Sequence, residues 1–260
     1  MSEHAYSTIK TLLSSTKPEE LKQGLELVRQ EISRMGSSEA KQLFEMVSAI
    51  FYIDTLDHPN LVPILDEAVS LTVGFGEWII PVLVENLDAG DLKAQLVVGH
   101  VLGRFGVDAI KQLISGYQAT TDPARRTFIL FALGKIKSPK IVQAAQLAVN
   151  AAGSPDRELR DTATRAIGKF LESIPPSDLS QELRTAFIGR LQSNLADPNA
   201  GIRAKAIRSY GKLARFGHLN EMEKKKLRAI CKHIIGTDEH YDWDRAYIVR
   251  KEAEEALTYT

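Results

Sequence analysis

The chain has 260 residues, 44% apolar and 25% charged, with 33 Lys and Arg against 33 Asp and Glu. This is the composition of an ordinary folded chain; it excludes wholesale disorder, collagen and a cysteine-stapled peptide. Aromatics reach only 7%, so Leu, Ile, Val and Ala must build the core, in one or two compact domains or one elongated array of repeats.

At the N-terminus, Met1 to Tyr6 show no basic stretch leading into an apolar core, so no signal peptide is expected. No apolar run approaches the roughly 18 residues of a transmembrane helix. Apolar residues at helical spacing predict helices over 18–35, 39–54 and 60–73. Asp57-His58-Pro59-Asn60 is a turn signal much like one found later, so residues 1–75 read as N-terminal helices, degenerate repeats or a cap.

Beyond residue 76 the chain repeats itself. Apolar-periodic stretches run over Trp78–Leu87, Ala109–Tyr117, Ile141–Ala151, Leu183–Leu195 and Met222–Ile235. Each is followed by a turn signal: Asp88-Ala89-Gly90-Asp91, Asp122-Pro123, Ser154-Pro155-Asp156, Asp197-Pro198-Asn199 and Asp242-Trp243-Asp244. A second helix follows each turn, and four of these end on Gly103, Gly134, Gly168 and Gly211, spaced 31, 34 and 43 residues apart. An arginine stands eight residues before three of the glycines, at Arg126, Arg160 and Arg203; Arg250 holds that place in the fifth copy. In the third copy Leu159, Ala163, Ala166, Ile167 and Phe170 share one helical face; in the fourth, Ile202, Ala206, Ser209, Tyr210 and Leu213 do. No strand pattern appears, and the Pro-rich stretch 173–178 reads as a longer loop between repeats. A single helix hairpin cannot bury its own apolar face, so neighbours must stack.

An Asp at the turn, an apolar-Arg pair opening the second helix and a closing small-apolar-Gly triplet resemble the HEAT repeat. They resemble most the short bacterial HEAT-like repeat of the phycobilisome lyase type. The resemblance covers residues 76–260 and is strongest at Asp156–Phe170 and Asp197–Leu213; it departs where Gln95 replaces the arginine and Thr258 the glycine. It implies an all-α fold, an α-solenoid of stacked helix-turn-helix repeats. Five repeats would fill 76–260, continuous with the N-terminal part, their second helices lining a concave surface.

The repeated residues themselves have structural work. Asp122, Asp156, Asp197 and Asp244 are expected to cap second helices or pair with the arginines as a ladder. The glycines are expected to let neighbouring helices approach. The candidate partner-binding residues are the outward positions of the second helices: Val97, His100 and Arg104; Phe128, Phe131 and Lys135; Arg165 and Lys169 (with Thr162); Lys205, Arg208 and Lys212. Glu252, Glu255 and Tyr259 close the row, which therefore passes from apolar through basic to acidic. The helices around Val97 and Phe128 are apolar nearly all round: either the N-terminal helices cover them or they form a docking patch.

Charge is segregated along the chain. Residues 1–100 hold 7 basic against 15 acidic side chains, residues 101–260 hold 26 against 18, and 201–236 alone holds 10 against 2. The sequence therefore suggests an adaptor or scaffold that binds another protein on the second-helix face. The alternative is a nucleic-acid binder using the basic ridge 201–232, and a bilin lyase or chaperone-like protein comes third. No P-loop, GxGxxG, GxSxG or HExxH motif occurs, and the His-Glu pairs that hold iron in HEAT-like deoxyhypusine hydroxylases are absent. No catalytic residue, cofactor or metal site is expected, and no membrane partner; His233 and His240 beside Asp238, Glu239 and Asp242 read as a chance cluster. Cys231 lies on the apolar face of its helix, is expected to be buried, and fits a reducing, cytoplasmic setting.

Overall fold

The computed structural model describes residues 3–34, 37–88, 90–240 and 242–260. Met1, Ser2 and Ala89 of the turn Asp88-Ala89-Gly90-Asp91 lie outside the described residues. Among the described residues there are fourteen α-helices and no strand. No single helix among them is long and apolar enough to cross a membrane. The chain divides into two compact units, Met1–Gln112 and Leu113–Thr260.

The first unit begins with α1 (Glu3–Leu13), a helix the sequence reading left out, which buries Ile9 and Leu13 against α2 (Pro18–Ile32). Gly24 of α2 makes this possible, since a Cβ there would stand 2.7 Å from the Leu13 side chain. α3 (Ser37–Ser48) ends short of the expected residue 54, because residues 49–52 tighten into a 3-10 turn that buries both Ile50 and Phe51. α4 (Val62–Gly74) and α5 (Ile80–Glu85) each carry proline in the first turn, where its missing N–H leaves no bond unmade. Between them Gly76 has φ 89°, a conformation side chains disfavour. The expected helix Trp78–Leu87 is thus shortened to α5, flanked by 3-10 turns at 77–79 and 86–88. α6 (Leu92–Phe105) starts on Asp91, whose carboxylate accepts from the Ala94 N–H at 2.9 Å. α2, α4 and α6 lie side by side over a core in which Phe44, Phe51, Phe75 and Trp78 meet edge to face. α4 and the turn at 49–52 therefore cover much of the α6 surface that the sequence left open.

The division falls within α7 (Val107–Gln118). In the second unit, α8 (Pro123–Leu133), α10 (Arg157–Phe170), α12 (Ala200–Arg215) and α14 (Tyr247–Leu257) are the second helices of successive hairpins, each beside the next. The first-helix partners of α10, α12 and α14 are α9 (Ala145–Ala151), α11 (Gln181–Asn194) and α13 (Glu221–Ile235). Where the sequence predicts one helix over Ile141–Ala151, Pro139 starts a 3-10 segment through Ala144, and only α9 is α-helical. Caps sit where the turn signals placed them: Asp122 accepts from Ala124 and Arg125, Asp156 from Leu159, and Asn199 from Gly201 and Ile202. α13 has a full capping box between Asn220 and Glu223 and ends on Gly236 in the left-handed conformation.

The hairpins are clamped to one another by three devices. The first is the expected ladder: Arg160 reaches Asp197 of the next turn at 2.6 Å, and Arg203 grips Asp244 through two bonds of 2.6 and 2.8 Å. Arg160, Arg203 and Arg250 each also donate to carbonyls of their own turn. Arg126 departs from the pattern and stacks on Tyr117, 4.8 Å from the ring centroid. The second device is glycine: a Cβ on Gly168 would collide with Ser209, and one on Gly211 would stand 2.7 Å from the Ala256 methyl. The third is a buried polar network: Asn194 donates to the Ala152 carbonyl and to Thr164 Oγ1, and Ser209 donates to the Thr164 carbonyl.

Candidate functional site

The eleven sequence-predicted residues fall into two groups. In the first unit, Val97, His100 and Arg104 on α6 line one cavity of about 290 Å³ with Leu65, Asp66 and Val69 of α4 and the loop 53–56. Its charges are matched inside it: Lys93 pairs with Asp54, and Arg104 lies 3.8 Å from Asp66 while donating to Ser70 Oγ.

The other eight lie on α8, α10 and α12, or at their C-terminal ends, in the second unit. Phe128 and Phe131 are half-buried rather than open, and the Lys135 ammonium sits 4.7 Å over the Phe131 ring. A small cavity of about 30 Å³ between α8 and α10 is lined by Leu130, Phe131, Gly134, Lys135, Arg165, Ala166 and Lys169. Arg165 and Lys169 also line the next cavity, about 190 Å³, which they share with Lys205, Arg208, Ser209 and Lys212. No carboxylate is among the lining residues of either cavity.

Carboxylates reach these cations from the margins. Lys205 pairs with Asp161 at the start of α10, and Arg208 is held by both oxygens of Glu252 on α14. Glu252 is only 5% exposed. The acidic end expected for the row is therefore largely closed: Glu252 is spent on Arg208 rather than offered to a partner. Glu172, just beyond α10, accepts from Lys137, Lys169 and Lys212 at 2.8, 3.0 and 2.6 Å. Against the penalty of desolvation, these three ammonium groups hold its carboxyl down to about 2. Sequence reasoning missed this hub because Glu172 lies outside the repeated positions; the Lys169–Glu172 spacing of three was its one local sign.

The sum is a positive excess. Three lysines share one glutamate, Lys205 and Arg208 have one acid each, and Lys135 and Arg165 have no carboxylate partner among the described residues. Burial, and then the nearby charges of Arg165, Lys169 and Lys137, push the Lys135 ammonium below its ordinary value. The site thus keeps like charges close together with an exposed guanidinium at its centre.

The basic ridge 201–232 is divided. Arg203, Lys205, Arg208 and Lys212 on α12 all have acidic partners, while Lys225, Lys226 and Arg228 stand exposed on α13. Tyr210 is fully buried, its hydroxyl accepting from Gln192.

Cys231 is fully buried, and desolvation pushes its thiol up to about 12, so it is a core residue and no nucleophile at neutral pH. One group among the described residues could hold a divalent ion: His233, Asp238 and His240, with both Nδ1 atoms on the same Asp238 oxygen at 2.9 and 3.1 Å. Both histidines are exposed.

No protein family and no curated protein matches the chain by sequence. Solved structures do match it by shape. The CpcE–CpcF complex of phycocyanin lyase from Nostoc sp. PCC7120 matches at 19% identity with a TM-score of 0.54, over 70% of this chain and 99% of that one. An archaeal HEAT-like repeats protein from Thermococcus onnurineus NA1 matches at 16% identity and a TM-score of 0.51, over 98% and 96%. A designed armadillo repeat protein in complex with the peptide (KR)4 matches at 17% identity and a TM-score of 0.50, over 99% of each chain. With its helix hairpins, turn aspartates and arginine ladder, the chain has the all-α solenoid fold of the HEAT-like repeat proteins.

Proposed function

We propose that the chain is a protein-binding repeat module, an adaptor that takes a partner on the second-helix row of α8, α10 and α12. The observation that carries this is the juxtaposition of half-buried Phe131, with Phe128 one turn before it on α8, with Lys135 and Arg165, cations that have no carboxylate partner among the described residues. An apolar anchor beside a charge set that orients the partner is the usual build of a recognition surface. Repeat folds offer such rows, and two of the similar structures are complexes, one with a peptide. Nucleic acid is the weaker occupant, because the α12 half of the basic ridge is already engaged by Asp161, Glu172, Asp244 and Glu252.

A photo-crosslinking amino acid placed at Phe131, and separately at Met222, tests the surface. Met222 is 80% exposed on α13, off the row. Irradiation in native lysate is expected to give a discrete protein adduct from position 131 and none from 222. Equal adducts from both positions, or an adduct removed by nuclease, would overturn the assignment.

A further inference from the structure

The chemistry of the row also says what kind of segment it accepts. We propose that the partner presents an extended acidic segment, its carboxylates seated between α10 and α12 and an apolar side chain one helix away against the half-buried Phe131. The inference rests on the row being a protein-binding surface.

The cavity between α10 and α12 is lined by five cations and Ser209, and its counter-charges sit at its edges rather than inside it. Glu172 shows what the cavity wants. It is a carboxylate of this chain that three lysines from the ends of α8, α10 and α12 converge on, at normal hydrogen-bond distances. One glutamate cannot satisfy them all, and it leaves Arg165 untouched. The Arg165 guanidinium is exposed, lines both cavities, and offers planar paired donors that match a carboxylate in two-point geometry.

Spacing adds a rule. Neighbouring packed helices lie about 8–10 Å apart, and an extended chain advances about 3.3 Å per residue. A strand crossing the row therefore meets a new helix every three residues or so. The segment that fits has an apolar residue followed, three positions on, by Asp or Glu. A basic peptide such as the one held by the armadillo design would be repelled here. Nucleic acid would find charge but little to stack on: Tyr210 is buried, and Arg215 lies over Tyr259 at 5.3 Å.

The test uses the full chain and short fluorescein-labelled peptides bearing a leucine three residues before a Glu-Glu pair, read by anisotropy against rising NaCl. The acidic peptide is expected to bind, to weaken steeply with salt, and to lose about tenfold in affinity with Arg165→Glu. Glu172→Gln, which frees three lysines, is expected to tighten binding several-fold, a gain that misfolding cannot produce. Lys225→Ala with Lys226→Ala on α13 is expected to change nothing. Equal binding of the Lys-Lys version of the peptide would overturn the proposal. So would stronger binding of a single-stranded oligonucleotide of equal charge, displacement by inorganic phosphate alone, or indifference to both Arg165→Glu and Glu172→Gln. If position 131 still crosslinks a protein while the acidic peptides fail, the binding surface stands and only the acidic assignment falls.

Discussion

Arg203 and Arg29 are both arginines in ion pairs, and they illustrate how burial decides what a pair contributes. Arg203 sits largely covered, with two bonds to Asp244 and two more to its own turn. Arg29 is half-exposed between Glu26 and Glu67. Arg203→Ala is expected to destabilise the fold by about 2 kcal/mol, because it strands a covered carboxylate as well as losing bonds. Arg29→Ala is expected to shift stability by less than about 0.5 kcal/mol. Thermal or urea melts of the two variants check this; equal effects would mean the ladder is decorative. The ladder was legible from the eight-residue offset alone at Arg160 and Arg203. Arg126 was not: Asp156 is occupied as a helix cap, and the choice of Tyr117 depends on hairpin placement, which no one-dimensional offset encodes. Glu172 escaped for the same reason, since its lysines come from α10, α12 and the loop after α8.

Among elements, the long second helices were the most readable, because each repeats the same apolar face and all but α14 start on a side-chain cap. The misses cluster where proline or a change of helix type intervenes. The predicted helices at Trp78–Leu87 and Ile141–Ala151 are split by 3-10 turns, whose period of three resembles the helical one over a few residues. α1 was overlooked although Ala5, Ile9 and Leu12 hold helical spacing. The packing of α10 on α12 rests on a missing side chain. Gly168→Ala is expected to cost about 1–3 kcal/mol by overpacking against Ser209. Gly189→Ala, with open space around it on α11, is expected to be neutral or slightly stabilising. Denaturant midpoints of the two variants distinguish a structural glycine from an incidental one.

For the molecule as a whole, pH acts through groups whose ionisation the fold resists or enforces. His218 is buried, and desolvation lowers its pKa below 6.5; its ring nitrogens lie near the Leu171 and Ile174 carbonyls without meeting hydrogen-bond geometry. The fold therefore prefers the neutral ring, so that stability is intact above pH 6.5 and declines as pH falls and the unfolded chain takes the proton first. Glu172 acts lower down. Its folded value of about 2 lies below the ordinary 4.5, so its contribution holds above pH 4.5 and is lost as pH drops towards 2. Partial exposure screens that contribution to about 1–2 kcal/mol. Melting temperatures across pH 8 to 3 are expected to fall in two stages, the upper removed by His218→Leu and the lower reduced by Glu172→Gln. Persistence of the upper stage in His218→Leu, or of an undiminished lower stage in Glu172→Gln, would refute the assignment. One further consequence belongs to the glycines at the helix contacts. By fixing how near α12 comes to α10 and to α14, Gly168 and Gly211 make the row a ruler whose graduations are helix widths. Its scale, and so the sequence spacing it measures in any chain laid across it, is written in residues that touch no partner at all.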